Sequence, residues 1–207
     1  MTTILIVGIL VAVAVPSYQQ YIVNAKITEA YTFIDSIGKA QITFFSNYDE
    51  FHDLAPSPVG LDMPMTFADN QGWDKMGYPI AVGTNLLFVY RARAGKTDSA
   101  GTQLVDSPKN TELGVDWHFT DVSNATILGG RYYNPPPSQC NVGITTPQTL
   151  GITTTPTYDW VMISAVGDLN GNKDTKCTAV ARLMEASPAT GRKPKFLGGF
   201  ILVNKGD

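Results

Sequence analysis

The sequence predicts an α+β fold: one long amino-terminal helix whose second half packs on an antiparallel sheet of four to five strands. Three observations predict it. An uncharged apolar run opens the chain, and an amphipathic stretch of helical period follows without a break. The second half of the chain then carries strand-like runs separated by turns, with no helical period between them. Composition agrees. Of 207 residues, 43% are hydrophobic and 16% charged, and the net charge is −3. That is ample apolar material for a core, and too acidic a balance for a nucleic-acid binder relying on overall positive charge. Two histidines leave little material for a histidine-based active site.

The first element is the apolar run. No charged residue occurs from Met1 to Val23, Lys26 is the first, and Ile4 to Val15 is apolar without interruption. A helix hydrophobic all round needs protein or lipid about it. Three readings compete. A secretory signal peptide would carry a run of this length, but Met1-Thr2-Thr3 has no basic residue and Pro16-Ser17-Tyr18 is a poor cleavage site. A buried core helix is the second. Membrane residence is the reading carried forward, although this run is shorter than the roughly 18 to 20 residues of a bilayer span.

The run passes into an amphipathic stretch. Ala30, Phe33, Ile37, Ala40 and Phe44 recur at spacings of three and four, with Tyr18, Ile22 and Ala25 extending the stripe upstream. Polar residues such as Gln19, Gln20, Asn24, Lys26, Glu29, Asp35 and Lys39 fill the other positions. One helix from near Thr2 to about Ser46 is expected, roughly 65 Å long. Pro16 removes a backbone donor and Gly8 lowers helix propensity, so the stretch between them is the natural place to bend or unwind. Gly38 is a second soft point, where close packing is expected.

The segment Ile6-Val7-Gly8-Ile9-Leu10-Val11-Ala12-Val13-Ala14-Val15-Pro16-Ser17-Tyr18-Gln19-Gln20-Tyr21 resembles the N-terminal helix of type IV pilins and the related pseudopilins. Thr28-Glu29-Ala30 fits the family's Ser/Thr-Glu-Ala triplet, and Ala40-Gln41-x-x-Phe44-Phe45-Ser46 is similar to several larger pilins. The resemblance covers about the first 46 residues. The family's mature chain opens on a Phe-Thr-Leu-Ile-Glu-Leu block after a cleaved basic leader. Aligned on Gly8 and Pro16, that block falls immediately ahead of Met1, with its glutamate two residues upstream. It would bring the apolar stretch to membrane-spanning length, so a trimmed or misplaced start is the expectation here, with a divergent member of the family as the other reading.

Residues 47–84 are rich in Pro, Gly and Asp and read as a connecting loop with at most a short turn of structure. Strand-like runs follow at Leu86–Arg93, Val115–Thr120, Trp160–Val166, Thr178–Glu185 and Phe200–Val203. The expected organisation is therefore an anchor and filament-core half-helix over 1–23, an amphipathic half-helix over 24–46, the loop region over 47–84, and a sheet domain over 85–207. Cys140 and Cys177 bracket a Thr-rich stretch. Export, as the resemblance implies, would place them in an oxidising compartment as a disulfide bounding a surface lobe over 140–177, like that of many pilins. Two buried free thiols are the other reading.

Other candidate chemistry is thin. Arg93-Ala94-Gly95-Lys96-Thr97 ends like a phosphate loop, but Tyr90 stands where a glycine is required. Asp168, Asn170, Asn172 and Asp174 offer oxygens at alternate positions, as a calcium loop does. Its glycine, Gly171, comes fourth rather than sixth, and Ala179 stands where the closing glutamate belongs; a turn between strands explains the same residues. His52 and His118 lack ligand-spaced companions, and no nucleophile–base motif is present. Gly191-Arg192-Lys193-Pro194-Lys195 reads as a solvated basic turn rather than a nucleic-acid or anionic-surface contact. Asn124-Ala125-Thr126 matches a glycosylation sequon, and the Thr-rich stretch could carry O-linked sugars.

The resemblance implies a structural subunit, not an enzyme. It implies residence in the bacterial inner membrane, handling by the pilus assembly machinery, then polymerisation with copies of itself into a helical surface filament, with no required cofactor beyond the calcium possibility. No specific nucleic acid is predicted as a partner. Ile4, Ile6, Gly8, Ile9, Leu10, Val13, Pro16, Tyr18 and Tyr21 are the expected assembly residues, Gly8 and Pro16 serving local unwinding. A pseudopilin of a type II secretion system and a monomeric membrane-anchored binding ectodomain are the two alternatives.

Overall fold

The computed structural model of the chain describes residues 2–58, 64–68, 72–97, 103–106, 158–169, 178–186 and 191–203. A single α-helix, α1 (Thr2–Tyr48), opens the chain. Eight strands follow among the described residues: β1 (Leu54–Ser57), β2 (Met65–Thr66), β3 (Asn85–Leu86), β4 (Val89–Thr97), β5 (Gln103–Asp106), β6 (Tyr158–Gly167), β7 (Thr178–Ala186) and β8 (Lys195–Val203). The main sheet runs β1-β4-β6-β7-β8, with β5 also on β4, and every described pairing is antiparallel. β2 and β3 form a separate two-stranded ribbon.

The carboxy-terminal half of α1 lies on one face of this sheet. Ile27, Ala30, Ile34, Ile37, Phe44 and Phe45 are buried against Tyr90, Ala92, Ile163, Ala165, Val180 and Met184. Phe33 and Ala40 flank this core only partly buried, so the buried stripe is displaced by one position from the spacing read in the sequence. Tyr18, Ile22 and Ala25 are exposed rather than part of the stripe: the body does not reach below Val23, and Ala25 lies on the side of the helix away from Ile27 and Ala30. Gly38 faces the edge strand β8 closely: a Cβ there would collide with the Phe196 ring.

Two differences from the sequence reading concern the middle of the chain. The stretch read as a loop carries β1, paired with β4 through Leu54 and Ala92, and a 3-10 turn at Asp74–Met76. Its Phe67, Trp73 and Ile80 are buried and join the same core as the helix and the sheet. β1 contains Pro56, which suits it because an edge strand has donors that need no partner. Next, the run Leu86–Arg93 is not one strand. It breaks at Leu87, whose N–H leaves the ladder and donates to Glu29 Oε1 at 2.9 Å. β4 and β6 are buried on both faces, which explains their weak alternation. The segment Val115–Thr120 lies outside the described residues.

Candidate functional site

The feature that sets this chain apart is the first half of α1. Every residue from Ile6 to Ile22 is exposed. The large apolar side chains among them include Ile6, Ile9, Leu10 and Val13, and Val13 is 67% exposed. The helix continues through Pro16 without a break, and from Ile6 onward it is long and apolar enough to cross a membrane. Burying one such side chain is worth about 1.5–3 kcal/mol, so a rod carrying eight of them, with Tyr18 and Tyr21 besides, holds on the order of 20 kcal/mol of unrealised burial. That exceeds the stability of most domains, about 5–15 kcal/mol. A surface of this kind is driven out of water by lipid, by other proteins or by copies of itself.

Within the rod, backbone chemistry is local. Pro16 has no N–H to give the carbonyl of Ala12, so one carbonyl of the helix lacks its usual donor. Ser17 returns its hydroxyl to the carbonyl of Val13 at 3.1 Å. Gly8 has open space where a Cβ would stand. Ile4 belongs to the same helix.

The other half of α1 is tied to the body by polar clasps, each to a different element. Lys26 Nζ donates to Leu169 O at 2.8 Å, just past the end of β6. Glu29 Oε1 accepts the N–H of Leu87 and the hydroxyl of Tyr90, the latter at 3.2 Å. Burial raises the Glu29 carboxyl above its usual range, with these two hydrogen bonds opposing. Burial and the neighbouring Glu29 likewise push the Tyr90 phenol up. Asp35 pairs with Arg182 of β7, whose guanidinium lies 3.5 Å from the centre of the Phe196 ring and 4.6 Å from that of Phe200. Gln41 bonds both the N–H and the carbonyl of His52. At the helix end, Arg192 bridges Asp49 at 2.9 Å and Asp159 at 3.1 Å. The basic turn is thus an ion-paired clasp at Arg192, with Gly191 and Lys195 exposed.

Sequence reasoning missed these clasps. Glu29 and Asp35 read as polar positions between the apolar ones and Gln41 only as part of the Ala40–Ser46 segment, and nothing local marks their partners. His52 is buried and stacked on Phe44, with ring centres 4.8 Å apart. Asp168 is half-buried at the end of β6. Asn170, Asn172, Asp174, Cys140, Cys177, His118 and the Asn124 sequon lie outside the described residues. Among the described residues, no group of three or more His, Cys, Asp or Glu side chains could hold a metal ion.

No protein-family model matches the chain, and no solved structure is significantly similar to it. One curated protein is: the type IV major pilin protein PilA of Myxococcus xanthus is 28% identical over 161 residues, covering 65% of this chain and 70% of the relative. The chain is thus similar to a type IV major pilin over about two thirds of both proteins. Its architecture, one long helix with an exposed apolar half and a sheet-packed second half, is consistent with that fold. This similarity supports a pilin-like structural subunit.

Proposed function

We propose that this protein is the subunit of a type IV pilus-like bacterial surface filament, held in the inner membrane by the apolar half of α1 and polymerised through the same surface. The observation that carries the reading is the rod itself: apolar round its whole circumference from Ile6 to Val15 and free of contact with its own body. Lipid satisfies such a surface before assembly, and the rods of neighbouring copies satisfy it afterwards, exchanging one apolar environment for another. Ile4, Ile6, Ile9, Leu10 and Val13 supply the packing. Gly8 and Pro16, with the donor-less Ala12 carbonyl between them, give the rod a stretch that can unwind as copies bundle. The length of the chain and its Thr-rich stretch favour a pilin over a compact pseudopilin.

The test is filament formation by an Ile9→Asp variant. A charge at that depth costs about 2.5–3.5 kcal/mol in a membrane and more in a dry helix bundle. The expected result is a folded, membrane-associated protein that forms no filaments in cells producing only this variant. Normal filaments would refute the packing role. Filament length separates the alternatives: long surface fibres support the pilin, and short periplasmic assemblies support the pseudopilin. A detergent-solubilised chain that never polymerises supports the monomeric ectodomain.

A further inference from the structure

We infer that Tyr18 and Tyr21 form an interfacial belt that sets how deep the rod sits in the bilayer before assembly, placing the globular body directly on the lipid headgroups. The inference rests on the membrane residence proposed above and adds where the membrane surface falls.

Polar groups along the rod locate that surface. Ser17 is the last polar side chain before the tyrosines, and its hydroxyl is spent on the carbonyl of Val13. A hydroxyl in hydrocarbon must find such an internal acceptor, because no water is there to serve. From Tyr18 onward the pattern changes. Tyr18, Gln19, Gln20 and Tyr21 are all exposed, and among the described residues no hydrogen bond ties either phenol to the chain. The two tyrosines are 66% and 70% exposed and lie three residues apart, on one side of the helix. A tyrosine ring is apolar in its body and polar at its tip, which suits the boundary between acyl chains and headgroups better than either phase.

The body begins immediately above. Val23 is the first helix residue to pack on the core, and Lys26, the first charge, turns to Leu169 O. With the boundary at Tyr18, one leaflet of hydrocarbon, about 15 Å, reaches down ten residues to the level of Gly8. The glycine, and the donor-less carbonyl of Ala12 above it, then lie in the inner part of the hydrocarbon. The polar run at 18–21 lies at the headgroups, with no stalk between membrane and body.

The experiment uses the full chain in phosphatidylcholine–phosphatidylglycerol vesicles containing lipids brominated either high or low on the acyl chain. Val13→Trp and Tyr21→Trp are compared separately with the unsubstituted protein, whose native tryptophan signal is subtracted. The two positions differ by about 12 Å along the helix. Tyr21→Trp is expected to be quenched most by the shallow bromines and Val13→Trp most by the deep ones. In a Tyr18→Ala/Tyr21→Ala background, the depth profile of Val13→Trp is expected to shift. If Val13→Trp is deeply quenched but Tyr21→Trp is equally deep or unquenched, the boundary is misplaced. If the Val13→Trp profile is the same with and without the tyrosines, they do not set the depth. If Val13→Trp is quenched by neither lipid, the membrane reading itself fails and takes this inference with it.

Discussion

Gln41 holds the backbone of His52 by both ends of its side-chain amide: Nε2 donates to the carbonyl at 2.6 Å, and Oε1 accepts the N–H at 3.0 Å. The glutamine is fully buried on the sheet-facing side of α1, where an apolar residue would otherwise sit. It serves as a surrogate strand partner, fixing the chain as it leaves the helix and turns toward β1. Gln41→Leu keeps the volume and loses both bonds, leaving a buried donor and a buried acceptor unpaired at about 1–3 kcal/mol each. A loss of roughly 2–5 kcal/mol is expected, seen as a fall in Tm on the order of 10 °C. A Tm within experimental error of the parent would show that the loop relaxes to find other partners.

A second prediction concerns Gly38. Gly→Ala inside a helix ordinarily gains about 1 kcal/mol. Here the added methyl collides with Phe196, whose ring is held against the guanidinium of Arg182, and it touches Met184 Sδ at 3.5 Å. Overpacking of this kind costs about 1–3 kcal/mol, so Gly38→Ala is expected to be net destabilising. In a Phe196→Ala background the collision is gone, and the same substitution is expected to stabilise. Chemical denaturation of the four proteins in the cycle measures the reversal. Equal effects of Gly38→Ala in both backgrounds would disprove the contact.

How much of this was legible in the sequence follows from what each residue depends on. The helix was readable because its signals are local: no charge before Lys26, and an apolar period from Ala30 to Phe44. β6 and β7 were readable as β-rich runs close to their observed bounds. β1 was hidden by Pro56, a strand breaker in the interior but tolerable at an edge. The break at Leu87 was hidden because the group that takes its N–H, Glu29, lies 58 residues earlier. Gln41 was hidden because a polar side chain on a helix reads as solvent-facing unless its partner is known. From Ile6 to Val15 the apolar run reads directly as an exposed apolar rod, whereas Tyr18 and Ile22 carried the helical period upstream to where the body no longer covers it.

The third prediction is a pH dependence. The Glu29 carboxyl is raised by burial from its ordinary value of 4.5, so the folded chain holds that proton more tightly than the unfolded one. Stability from this group is therefore fully present below pH 4.5 and is lost as pH rises through the raised value. Glu29→Gln keeps an acceptor for the N–H of Leu87 and removes the titration. Its Tm relative to the parent is expected to rise between pH 4 and pH 7, toward or above that of the parent. Parallel Tm curves for the two proteins across that range would show that Glu29 does not titrate differently on folding.

The fourth prediction separates the two halves of α1. The rod from Ile6 to Ile22 contributes nothing to the core, whose first helix contact is Val23 and whose first clasp is Lys26 to Leu169 O. A protein beginning at Val23 keeps every clasp from Lys26 to Arg192 and all the packing of Ile27, Ala30, Ile34, Ile37, Phe44 and Phe45. It loses only the surface that demands lipid or other copies. It is expected to be soluble without detergent, monomeric by sedimentation, and equal in Tm to the full chain in detergent to within about 2–4 °C, the shift that 1 kcal/mol produces in a chain of this size. Cutting four residues further, to begin at Ile27, removes the Lys26 clasp and frays the first buried turn, so stability should drop there and not before. A body that unfolds or aggregates when it begins at Val23 would mean that the rod supports the fold as well as the assembly.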